Sequence, residues 1–310
     1  MKWIKKGLVF SELDAARYGL YNPQVPYCFM LDDKIRIFFG AREQNNGAAS
    51  VYFIDVESKN PKNVLHVHEK PILSRGTIGS FDQDGVLPVC ITRVNNDIYM
   101  YYGGFSKTLS SPHLCMMGLA ISRDEAKSFQ RISNGPILPI SRFDPYLIGS
   151  ADVVNSNGVW HMIYTSGIEW KIISELTELS YTLKYAYSSN GIDWTPTGSI
   201  VIQQESNNDA FAKPTIFRID DKFIMYFSKR HIINYREKGE SAYSLGSAYS
   251  LDLVNWIRDD SIIGMQASDY GWDSEMICYP NILKVNEKYL LFYNGNGFGK
   301  SGFGYAELEV

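Results

Sequence analysis

A short extended segment, a tight polar turn and a strongly hydrophobic aromatic run recur along the chain, in that order, five times. The copies are VPYCFMLDDKIRIFFGAR from Val25, LPVCITRVNNDIYMYYGGF from Leu87, SADVVNSNGVWHMIYTSG from Ser150, KPTIFRIDDKFIMYFSKR from Lys213 and YPNILKVNEKYLLFYNGN from Tyr279. The second residues, Pro26, Pro88, Ala151, Pro214 and Pro280, are spaced 62, 63, 63 and 66 apart. Each unit continues into a small-residue strand, as in GLAISRD from Gly118 or GSAYSLD from Gly246. In three units an aromatic follows (Phe129, Trp194 or Trp256), then an apolar strand such as GPILPI from Gly135. Four strands per repeat, without helical periodicity, are the signature of a propeller blade.

The fifth unit has only three strands before Val310, and KGLVFS at Lys6–Ser11 matches EKPILS at Glu69–Ser74 and NGPILP at Asn134–Pro139. The pattern therefore predicts an all-β, five-bladed β-propeller of four-stranded antiparallel blades. It spans residues 1–310 as one domain, with innermost strands starting near 25, 87, 150, 213 and 279. The N-terminal strand completes blade five and removes an exposed sheet edge.

Label the strands of a blade A to D from the axis outward. Antiparallel pairing puts the A starts, the B ends and the B–C and D–A connections on one face. The A–B turns on the other face are short hairpins, whereas the connections around 105–116, 170–182, 231–243 and 264–278 are long. Long loops in a compact fold usually carry function. The A starts on that face carry Gln24, Asp82, Asp84, Asp152, Lys213, Asp273 and Glu275. The B ends carry Arg42, Phe105, Glu169, Trp170, Lys229, Arg230, Asn294 and Asn296. Charged groups converging on a narrow channel must pair or hold a ligand, because burying them alone is costly. Asp84, Glu275 and Asp152 are the acid/base candidates. Gln24, Arg42, Asp82, Phe105, Glu169, Trp170, Lys213, Arg230, Trp272, Asp273, Asn294 and Asn296 are the ligand-binding ones.

Composition narrows the field. The 310 residues carry 30 basic and 34 acidic side chains, and no basic block, which disfavours nucleic acid as a partner. No apolar run is long enough for a membrane-spanning helix and the N-terminus lacks a signal-peptide core, so the reading is cytoplasmic. Cys28, Cys90, Cys115 and Cys278 are far apart and read as reduced core thiols. The five histidines form no ligand spacing, and nucleotide-loop, zinc-protease and nucleophile-elbow motifs are absent, so no metal or cofactor is expected. The 21 tyrosines and 6 tryptophans suit strands, and also surfaces that stack on sugar rings.

Five blades around an open pocket, with acids at strand-A starts, resemble the glycoside hydrolase five-bladed β-propeller superfamily of arabinanase/xylosidase, levanase and mannoside-phosphorylase types. SFDQDGVLP (Ser80–Pro88), YTSGIEW (Tyr164–Trp170), GWDSEMICYP (Gly271–Pro280) and YNGNGFGKSGFGYA (Tyr293–Ala306) resemble more closely a branch that often accompanies bacterial surface-polysaccharide genes. The resemblance implies an oligosaccharide or small sugar substrate, with phosphate or a sugar nucleotide among the groups taken. It also implies a base Asp in blade one, a modulating Asp in blade two and an acid Glu in blade three. Here Gln24 stands at the blade-one start, and the Glu-Asp-Pro-Arg motif of the phosphorylase branch is absent.

Three functions remain open at this point. A carbohydrate-active enzyme of hydrolase, phosphorylase or transferase type would use Asp84 and Glu275 across the pocket; inversion needs the carboxyls ~6.5–9.5 Å apart. A non-catalytic glycan-binding propeller would keep the pocket without the triad. A protein-interaction propeller would present an apolar loop face instead of a polar pocket.

Overall fold

The computed structural model describes residues 1–43 and 47–309. It opens with β1 (Trp3–Phe10) and a five-residue helix, α1 (Glu12–Ala16). Blade one is β2 (Tyr21–Leu31), β3 (Lys34–Arg42), β4 (Ser50–Glu57) and β5 (Val64–Val67); blade two is β6 (Gly85–Val94), β7 (Asp97–Ser106), β8 (Leu114–Ser122) and β9 (Gln130–Arg131). Blade three is β10 (Ile148–Ser156), β11 (Val159–Ile173), β12 (Leu176–Ser188) and β13 (Thr195–Ile200). Blade four is β14 (Asp209–Ile219), β15 (Lys222–His231), β16 (Ser244–Ser250) and β17 (Ile257–Arg258). Blade five is β18 (Cys278–Val285), β19 (Lys288–Asn294) and β20 (Phe303–Leu308), and β1 pairs with β20 as its fourth strand, Trp3 opposite Leu308 and Phe10 opposite Phe303.

The predicted all-β propeller and its closure by the N-terminal strand are therefore observed. The five A–B hairpins turn through left-handed Asp32, Asn95, Asn157, Asp220 and Asn286, the residue types that tolerate that conformation. The second strands read as almost unbroken apolar runs because each blade is covered on both faces. One core cluster, including Phe38, Val86, Met117 and Trp160, joins blades one, two and three.

Two local features differ from expectation. The segments matched as fourth strands, Glu69–Ser74 and Asn134–Pro139, make only single bridges, Leu73 to Val51 and Leu138 to Met117. Ladder pairing falls earlier, on β5 and β9. Pro71 and Pro136 lack the amide that a continuous fourth strand would donate. The helix α1 is too short to show periodicity; a capping box between Ser11 and Asp14 starts it. No helix of the described residues is long and apolar enough to cross a membrane.

Three D–A connections are pinned to the blade they enter by the same clasp. In blade two, Tyr102 and Arg131 donate to the Asp82 carboxylate at 3.2 and 2.8 Å. In blade three, Tyr164 donates to Asp144 at 3.1 Å and Lys184 pairs with it at 3.4 Å. In blade five, Tyr293 and Lys5 donate to Asp273 at 2.9 and 2.6 Å. Acid and tyrosine are 20 residues apart each time, and the acid follows an aromatic: Phe81, Phe143 or Trp272. In blades one and four the tyrosine position holds Phe39 and Phe227.

Candidate functional site

Every A strand is bulged where it enters the ring. Register shifts fall between Gln24 and Tyr27, Pro88 and Cys90, Ile148 and Ala151, Ala212 and Thr215, and Cys278 and Asn281. In three blades the bulge forces a non-glycine residue before proline into left-handed backbone: Val25 at φ 56°, Lys213 at 50° and Tyr279 at 55°. Such a conformation costs roughly 1–3 kcal/mol per residue. Bonds between blades offset it. The Val25 amide donates to Asn294 Oδ1 (2.8 Å), that of Lys213 to Ser150 Oγ (2.9 Å) and that of Tyr279 to Ser228 Oγ (2.8 Å). The bulges also turn these side chains toward the axis, where all three line a cavity of about 140 Å³ with Gln24, Ser150 and Phe105.

The level beneath this cavity is a second ring: Tyr27, Cys90, Asp152, Thr215 and Asn281 occupy equivalent register positions opposite Phe38, Tyr101, Ile163, Tyr226 and Phe292. Its polar members stitch neighbouring blades. Asp152 accepts from the Ile216 amide (2.6 Å), Thr215 from Ile282 (3.1 Å) and Asn281 from Cys28 (2.8 Å). Asp152 also accepts from the Tyr27 hydroxyl at 3.3 Å. Burial raises the Asp152 pKa, and the Lys213 charge only partly opposes it. Lys213 is 1% exposed; its amine lies 5.1 Å from the centre of the Tyr27 ring. Burial lowers its pKa against the pull of Asp152.

A wider pocket of about 320 Å³ opens beside the central cavity and shares Phe105, Cys115, Gly149, Ser150 and Tyr279 with it, so the two form one depression in the loop face. The outer part alone reaches the lower limit for small-ligand sites, ~300 Å³. Its wall includes the long β11–β12 hairpin with Trp170 and Glu178, together with Tyr181, Tyr235 and Tyr243. Tyr181 and Tyr243 share a 2.6 Å hydrogen bond across blades three and four. The Arg230 guanidinium lies 3.7 Å from the Tyr235 ring centre, donates to Tyr181 at 2.7 Å and is otherwise engaged by the Leu179 and His231 carbonyls. Glu178 is buried, bonded to Tyr235 at 3.1 Å and ion-paired with Arg236. Burial lowers the His113 pKa.

Of the residues chosen from sequence, Gln24, Phe105, Trp170, Lys213 and Arg230 meet in this depression. The others lie elsewhere. Asp82 and Asp273 are held in clasps, and Asp152 and Asn294 in the stitching rings. The Asp84 carboxylate accepts from the Lys107 amide at 2.8 Å, fixing the adjacent loop. Glu275 is exposed, and its amide donates to Asn296 Oδ1 at 2.8 Å; Asn296 also donates to the Gly271 carbonyl. Trp272 stacks on Tyr293, Glu169 pairs with Lys171 at the surface, and Arg42 is half-buried. Tyr181, Tyr235, Tyr243, Tyr279, His113 and Glu178 were not singled out. Tyr181 and Tyr243, at C-strand starts 62 residues apart, follow the blade period and were detectable on that basis.

Among the described residues no carboxylate lines the central part, and Glu178 is the one carboxylate in the outer part. The lining can stack a ring, donate hydrogen bonds from hydroxyls and attract negative charge. Among the described residues it does not present the two facing carboxylates of glycoside cleavage.

No protein-family model matches the chain. It is 29% identical, over 313 residues and the full length of both chains, to Uncharacterized protein MT1551 of Mycobacterium tuberculosis (strain CDC 1551 / Oshkosh). Among solved structures it is similar to one named Glycoside hydrolase (TM-score 0.77, 16% identity, 99% of this chain and 92% of the other). It is also similar to a glycosyl hydrolase from Bacteroides ovatus (TM-score 0.73, 12% identity, 99% and 93%). The chain thus has the fold of the five-bladed glycoside hydrolase propellers.

Proposed function

We propose that this protein handles carbohydrate in the loop-face depression and binds its sugar there by stacking and hydrogen bonding. The observation that carries the reading is the lining itself: an aromatic wall of Phe105, Trp170, Tyr181 and Tyr243 around a pocket that has no pair of facing carboxylates. Such a site favours glycan binding over two-carboxylate hydrolysis. The motif resemblance suggests bacterial surface-glycan metabolism as the setting.

A second reading, a carbohydrate-active enzyme, is favoured by one feature. Asp84 and Glu275 enter β6 and β18 on the cavity face, and among the described residues no hydrogen bond or ion pair holds the Glu275 carboxylate. Neutral and acidic mono- and oligosaccharides, aryl glycosides and sugar phosphates should be screened for binding by calorimetry and for turnover. Binding weakened at least ~10-fold by Trp170→Ala, with Asp84→Asn and Glu275→Gln silent, supports the binding reading. Turnover abolished by Glu275→Gln establishes the enzyme. No sugar bound at all overturns both.

A further inference from the structure

We infer that the sugar taken by this site carries an anionic group, a carboxylate or a phosphate, and that Lys213 binds it. The inference rests on the carbohydrate reading above and specifies which sugars it admits.

Charge comes first. The chain has a net charge of −4, yet its depression is lined by Lys213, Arg230 and Arg236 against Glu178 alone. Glu178 and Arg236 neutralise each other, and Arg230 is engaged by tyrosine hydroxyls and backbone carbonyls. Lys213 is left.

Hydrogen bonding comes second. Other buried cations of this protein have partners. Arg36 donates to Asp55 at 2.7 Å, and Lys184 pairs with Asp144 at 3.4 Å. The Lys213 amine, by contrast, is buried with no hydrogen-bond partner among the described residues. Asp152 lies beyond ion-pair distance of it, and its oxygens already accept from Ile216, Val153 and Tyr27. An ammonium buried in this way is costly unless something completes it. A structural lysine would have acquired a partner from the ring of side chains around it, whereas one kept for an anionic ligand would not.

Lys213 starts from the cavity wall, and its amine rests beside Tyr27, a residue outside the lining. Four rotatable side-chain bonds allow the amine to swing up to an anion, as a point charge.

Calorimetric titrations with glucose, galactose, glucuronate, galacturonate, glucose 1-phosphate and inorganic phosphate test the inference. An acidic sugar should bind at least ~10-fold more tightly than its neutral parent. Lys213→Met should remove that preference, and Lys213→Gln, which keeps a polar end without the charge, should remove it as well. Preference for the uronates assigns a carboxylate ligand, and preference for glucose 1-phosphate a phosphate. Should Lys213→Met fail to fold, the native comparison and Lys213→Gln still decide. Neutral and acidic sugars bound equally, or a preference intact in both variants, overturns the inference and leaves the carbohydrate reading standing. Phosphate bound through Lys213 with no sugar bound upholds the anion site and removes the carbohydrate reading. No binding by any probe removes both.

Discussion

The clasp that closes the ring separates a structural from a ligand-binding role for Asp273. This carboxylate is 2% exposed and accepts from Lys5 on the closing strand at 2.6 Å and from the Tyr293 hydroxyl at 2.9 Å. Asp273→Asn keeps the shape and removes the charge. Breaking a buried pair by removing one partner costs about 3–5 kcal/mol. Lys5 keeps 24% of its side chain in water and can be resolvated, so a loss of about 2–3 kcal/mol is expected. Urea unfolding should report it as a lower midpoint. Tyr293→Phe should lose about 1 kcal/mol, the worth of one hydrogen bond. Adding Lys5→Met to Asp273→Asn should cost less than the sum of the single changes, because the stranded cation goes too. Sugar binding should be unchanged in the folded variants. A loss under about 0.5 kcal/mol in Asp273→Asn, or lost binding at native stability, would refute the structural assignment and return Asp273 to the ligand site.

Three further outcomes are expected. Burial works against ionisation of Asp55 and Asp260, but hydrogen bonds from Arg36 and Lys34 to the first, and from Arg258 and Lys229 to the second, hold both pKa values below the usual 3.8. The unfolded chain therefore takes up protons near pH 3.8 while the folded one resists. This stability is complete above that pH and drains away as pH falls through the lower folded values, and Asp55→Asn should flatten the acid limb of urea midpoints plotted against pH. Trp3 is 5% exposed and its indole donates to Tyr226 of blade four at 3.2 Å, so Trp3→Ala should cost about 3–5 kcal/mol by chemical denaturation. Asp84→Asn loses charge-assisted acceptance from the Lys107 amide and should cost at most about 1–2 kcal/mol, measured the same way, with no effect on sugar affinity.

The architecture was legible because it is written five times. Blade spacing, hairpin residues and the three-stranded last unit each specify the ring, and closure by β1 follows from the unpaired edge. The site was legible only in part. Position on the correct face was readable for Asp82, Asp152, Asp273 and Asn294, but partner identity was not. Their partners are a tyrosine 20 residues on, an amide of the next blade or a lysine at the far end of the chain. The aromatic-Asp pair at 81–82, 143–144 and 272–273, with tyrosine following at the same interval, is a usable signal once the blade register is known. Tyr235 and Glu178 have no such signal, since Tyr235 comes from the irregular β15–β16 connection of blade four and Glu178 from the extended end of the β11–β12 hairpin in blade three.

A propeller has no core at its axis, so the strands around it need polar links between blades, and this chain uses buried acids and amides for that work. Asp152 and Asn281 receive amides from blades four and one; Asp82, Asp144 and Asp273 anchor the loops that lead into the ring. Each of these groups has its lone pairs committed to protein donors, and recruiting one to protonate or activate a ligand would forfeit a link. Lys213 has no such commitment. Its amide stitches blade four to blade three through Ser150, while its amine, 5.1 Å from the Tyr27 ring centre, makes no hydrogen bond or ion pair among the described residues. The left-handed backbone at φ 50° recurs at Val25 and Tyr279, so the bulge common to three blades sets it, and on the inference above it is the uncommitted amine rather than the strain that marks Lys213 for a ligand.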